Sequence, residues 1–125
     1  MLTRVSLLAF VAFIGIAAQP LSPVEEKLVG TWKFVGFPGH LGTLHFEFRV
    51  DRTYQCTQHG GQNPVVTARG TWKVDGNDLI IDEHPVPHDG RPAGAPHVNK
   101  QTIRASSSDR IAFADGPSIE RVKDK

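Results

Sequence analysis

The sequence predicts an all-β fold, an eight-stranded antiparallel up-and-down β-barrel preceded by a short N-terminal helical turn. Three observations carry this. A strand opening Gly30-Thr31-Trp32-Lys33-Phe34 is echoed by Gly70-Thr71-Trp72-Lys73-Val74. From Gly30 onward the chain alternates apolar and polar residues in short runs separated by turn formers, with no helical period of useful length. Just before Gly30, Ser22-Pro23-Val24-Glu25 has the pattern of a capping box, with Pro23 at the first helical position.

Each element follows from local chemistry. Gly30 admits a backbone conformation that a Cβ would oppose. The first strand runs from Thr31 to Phe37, with Trp32 and Phe34 on one face by the two-residue period. Pro38 to Gly42 is a loop by its breakers. The second strand, Thr43 to Val50, places Leu44, Phe46, Phe48 and Val50 on one side and His45 and Glu47 on the other, within reach of Arg69 or Lys73. Asp51-Arg52 makes a tight hairpin into the third strand, Thr53 to Gln58, with Tyr54 and Cys56 inward. Gly60 to Pro64 is a turn cluster, the fourth strand spans Val65 to Val74, and Asp75-Gly76-Asn77-Asp78 is a hairpin signal leading into the fifth, Leu79 to Glu83. A Pro- and Gly-rich loop from His84 to His97 follows, longer than most connections. Strands from Val98 to Ala105, Arg110 to Ala114 and Ser118 to Val122 complete the chain. Closing such a meander into a barrel removes both sheet edges, although a two-sheet sandwich has the same alternation.

Residues 1–18 read as a secretory signal peptide and residues 19–125 as one barrel domain. Arg4 supplies the positive start, Val5 to Ile16 the apolar run, and Gly15 to Ala18 the small residues of a cleavage site. The expected location is therefore secreted or periplasmic, with no membrane association after cleavage. Of the 14 basic and 13 acidic residues only Arg4 lies in the leader, so the mature domain is close to neutral. No basic run is present, which argues against nucleic acid as a partner. Cys56 is the single cysteine, which leaves a buried thiol or an intermolecular bridge and excludes an internal disulfide.

With these residues in view, the chain resembles the lipocalin-like families, in particular short exported bacterial members. The resemblance rests on the helical turn, Gly30-Thr31-Trp32, the run Phe46 to Tyr54, the later Gly70-Thr71-Trp72-Lys73 strand, and Arg121 in the last strand. It implies a barrel-closing set, Gly30, Trp32 and Arg121, in which Arg121 stacks on Trp32 in a cation–π contact of about 0.5–2 kcal/mol. It also implies a small hydrophobic ligand, non-catalytic binding without a cofactor, and a monomer. The sequence departs from full-length lipocalins in lacking their disulfide, their longer strands and their C-terminal helix.

The inward candidates are Trp32, Phe34, Leu44, Phe46, Phe48, Val50, Tyr54, Val66, Trp72, Val74, Leu79, Ile81, Ile103, Ile111, Phe113 and Ile119. A small eight-stranded barrel is either filled by its side chains or holds one small ligand, and so many large residues favour the filled case. If a pocket exists, Phe34, Phe46, Phe48, Trp72 and Phe113 line it, and Tyr54 and Gln101 orient the ligand. Two other readings stay open. The Pro-rich loop 85–96 is a candidate protein-binding segment, as in barrels that inhibit proteases, because its prolines lower the entropy cost of docking. His84, His88 and His97 are weak metal candidates, exposed loop histidines being the commoner state. No nucleophile elbow, Cys–His pairing or phosphate loop points to an enzyme.

Overall fold

The computed structural model describes residues 20–35, 43–60, 63–87, 90 and 92–123. The expected leader, Phe37, the expected loop from Pro38 to Gly42, and His88 lie outside the described residues. A helix α1 (Pro23–Leu28) precedes β1 (Gly30–Phe34), β2 (Thr43–Phe48), β3 (Thr53–His59), β4 (Val65–Asp75), β5 (Asp78–Pro85), β6 (His97–Ser106), β7 (Arg110–Phe113) and β8 (Ile119–Arg121). Each strand pairs antiparallel with the next, and β8 returns to β1 through Trp32↔Arg121 and Phe34↔Ile119, closing the barrel.

The barrel has two unlike ends. Helix α1, the β2–β3, β4–β5 and β6–β7 turns and the end of β8 gather at one end. The C-terminal ends of β1, β3, β5 and β7 and the starts of β2, β4, β6 and β8 lie at the other. A six-residue helix is marginal alone. Here the Ser22 hydroxyl accepts from the Glu25 amide (3.3 Å), and a Glu25 carboxylate oxygen accepts from the Ser22 amide (2.8 Å). Leu28 is fully buried beneath it.

Trp32 is also fully buried, and its indole donates to the Leu28 carbonyl at 2.8 Å. The Trp72 indole donates to the Arg49 carbonyl at 3.0 Å. Phe48 packs edge-on against Trp72, with centroids 5.3 Å apart, and these rings with Leu79, Ile111 and Ile119 form the core. The β4–β5 hairpin has Gly76 at φ +62° in the first position of a two-residue loop, the glycine-first pattern of a type II′ turn.

The structure moves several expected boundaries. Strand β2 stops at Phe48, and Val50 is 69% exposed, outside the barrel. Arg49 N–H donates to the Thr53 carbonyl and Arg52 N–H to the Arg49 carbonyl. The connection is therefore a four-residue turn with Arg52 at φ +70°, not a tight Asp51-Arg52 hairpin. That turn breaks the alternation that would have carried Val50 inward. At the other end β5 runs on to Pro85 and β6 begins at His97, so the long connection shortens to residues 86–96. The outer polar face is bridged differently too. Strand β3 lies between β2 and β4, so Gln55 links Arg49 to Arg69, while Glu47 pairs with Arg49 just beyond the end of its strand.

Candidate functional site

The end bearing α1 is sealed by charge and rings together. The Arg121 guanidinium lies over Trp32, with its central carbon 4.4 Å from the ring centroid. It donates to the carbonyls of Lys27 (2.7 Å), Val29 (2.8 Å) and Ser108 (2.7 Å). Beside it, Glu25 is 3% exposed and pairs with Arg52 through both oxygens. Glu25 also accepts from the Val74 amide at 2.9 Å, which joins the helix to two hairpins. Burial alone would push this carboxyl up. The bonds from Arg52, Ser22 and Val74 outweigh it and hold the group down at about 2, from an ordinary 4.5.

The opposite half of the interior is not filled. It holds a cavity of about 160 Å³ reaching towards the end that carries the long connections. Phe34, Phe46 and Phe48 from β1 and β2, Phe113 from β7, Pro117 and Ile119 form an apolar wall. Phe34 and Phe46 meet edge to face, with centroids 4.8 Å apart. Leu79 and Ile81 form its inner side. Tyr54, Glu83, Asn99 and Gln101 bring polar groups to the wall formed by β3, β5 and β6.

The filled core expected from residue sizes is therefore corrected. Strand β6 turns Asn99 and Gln101 inward and leaves Val98 64% exposed, so polar side chains stand where apolar ones would pack. Of the expected ligand residues, Phe34, Phe46, Phe48, Tyr54, Gln101 and Phe113 meet at this cavity. Trp72 does not. It lies nearer the sealed end, buried against Phe48, with an edge on an outer groove beside Glu25 and Arg52.

Glu83, like Asn99, is a site residue the sequence reading passed over. The two-residue period from Leu79 and Ile81 carries to Glu83 and was its available signal. Its side chain is 17% exposed. One carboxylate oxygen faces His97 Nε2 at 3.2 Å, and the other accepts a long 3.5 Å bond from the Tyr54 hydroxyl. Burial, then the neighbouring Cys56 and Glu83, push the Tyr54 phenol far up, so it remains a neutral donor. Burial likewise pushes the Cys56 thiol up, which leaves it a poor nucleophile.

The metal candidates do not converge. His84 pairs with Asp82 at 3.5 Å on the outer face, whereas His97 meets Glu83 at the inner one. Among the described residues no three potential ligands come together, and His88 lies outside them. His45 and His59 stack on the outer face of β2 and β3, with centroids 4.1 Å apart. Burial, then the charges of His59 and Lys33, hold His45 below the ordinary histidine value.

Fold and cavity together define a small closed antiparallel barrel, sealed at one end and hollow towards the other. No protein-family model matches the chain, and comparison with curated proteins and with solved structures finds no match.

Proposed function

We propose that this protein is an exported, non-catalytic lipocalin-like barrel that binds one small apolar molecule in the open half of its interior. The observation that carries the reading is the cavity walled by Phe34, Phe46, Phe48 and Phe113, six of whose lining residues come from the seven ligand candidates read in the sequence. Its size sets the ligand class. An engineered apolar cavity of about 150 Å³ holds a benzene ring, so about 160 Å³ suits a molecule built on one ring. Export rests on the leader pattern of residues 1–18, and the family reading on Gly30, Trp32 and Arg121 acting together at the sealed end.

Native mass spectrometry of the mature protein, taken from its own exported fraction, tests both halves. The expected result is a chain lacking the leader that carries an added mass of one small organic molecule, lost on denaturation. A protein found only inside the cell with its leader intact, and with no such adduct, would contradict the reading.

A further inference from the structure

The interior cavity is apolar apart from one wall, and that wall carries a carboxylate. We infer that the molecule it takes is a small organic ammonium, a single-ring or similarly compact apolar group bearing one positive charge held by Glu83. This deepens the proposed interior binding site and rests on it.

The partners of Glu83 argue for a cation. A carboxylate only accepts hydrogen bonds. One oxygen meets His97, which is exposed and is not among the cavity-lining residues. The oxygen towards Tyr54 receives only the 3.5 Å phenol bond, at the limit of a hydrogen bond. The titratable groups around Glu83 among the described residues are Tyr54 and Cys56 from β3 and His97 from β6, and no described lysine or arginine lines the cavity. A neutral apolar ligand would strip water from that oxygen and return nothing, a costly exchange for a charged group. An ammonium would replace the water with a charge-assisted bond. The Phe46 and Phe48 rings in the lining are also of the kind that attracts a cation once water is excluded. The same carboxylate repels an anionic ligand, so fatty acids and aromatic acids are disfavoured by charge.

Calorimetric titration of the mature protein near neutral pH with three single-ring probes, benzylamine, benzyl alcohol and benzoate, tests this. The expected order is benzylamine tighter than benzyl alcohol by about tenfold or more, the increment of one hydrogen bond to a charged group. Benzoate should be the weakest, a comparison that needs no variant. In Glu83→Gln the preference for benzylamine over benzyl alcohol should fall to within about twofold, with a cooperative thermal unfolding transition reporting that the variant is folded. Equal binding of benzylamine and benzyl alcohol by the natural protein, or a preference unchanged in Glu83→Gln, would overturn the ammonium inference and leave the apolar site standing. Failure of both probes to bind would overturn the site and the inference together.

Discussion

Arg121 reaches Trp32 by crossing directly over Gly30. A Cβ built on Gly30 would stand 2.3 Å from Arg121 Nη1, and Gly30 itself sits at φ +134°. The glycine two residues before the tryptophan thus has two physical duties, a backbone angle other residues resist and the space through which the guanidinium passes. Gly30→Ala should lower stability by about 1–3 kcal/mol, measured by urea unfolding. Arg121→Lys, which cannot reproduce the fork to three carbonyls, should cost a similar amount, about 1–3 kcal/mol. The two changes together should cost less than their sum, because the alanine already displaces the arginine. Strict additivity would separate the two residues. Trp32→Ala, which empties the centre of this end, should cost about 3–5 kcal/mol in the same assay.

The Glu25–Arg52 pair makes folding sensitive to acid. The folded carboxyl sits at about 2 against an ordinary 4.5. Its contribution is complete above pH 4.5 and drains away as pH falls towards about 2, to a total of about 3 kcal/mol. Chemical unfolding across that interval should show this slope, and Glu25→Gln should flatten it. Arg52→Ala strands a buried carboxylate and should cost about 3–5 kcal/mol at neutral pH.

Much of this architecture is legible in the sequence, and the exceptions have identifiable causes. The capping box, the Gly76 hairpin and the inward period of β2 through Phe48 are local patterns, and the structure keeps them. The place of Val50 was hidden because Arg52 adopts a left-handed backbone that sequence rules reserve for glycine or asparagine. What holds Arg52 there is Glu25, a partner 27 residues away that no local pattern reveals. The cavity was hidden for a related reason. Listing large apolar residues counts volume without showing that Asn99 and Glu83 share the interior with Gln101.

Cys56 should be chemically quiet. Its thiol is buried and raised by that burial, so an aromatic disulfide reagent should label it negligibly in the folded protein and fully in denaturant. Rapid stoichiometric labelling under native conditions would place the thiol elsewhere.

The cavity can also be closed from within. Gln101→Phe puts a ring into the space beside Phe113 and replaces a polar wall residue with an apolar one. Such filling should raise stability by about 0.5–2 kcal/mol in thermal unfolding while abolishing the binding of benzyl alcohol. Binding that survives the filled interior would move the ligand to another surface.

The most direct test of the interior site is a residue-by-residue NMR titration of the mature protein with benzyl alcohol. Saturable shifts should concentrate on Phe34, Phe46, Tyr54, Ile81, Gln101 and Phe113, with Lys33, Arg69 and Lys73 on the outer face unmoved. No saturable shift at these positions, or shifts confined to the outer groove beside Glu25, Arg52 and Val98, would contradict a ligand site inside the barrel.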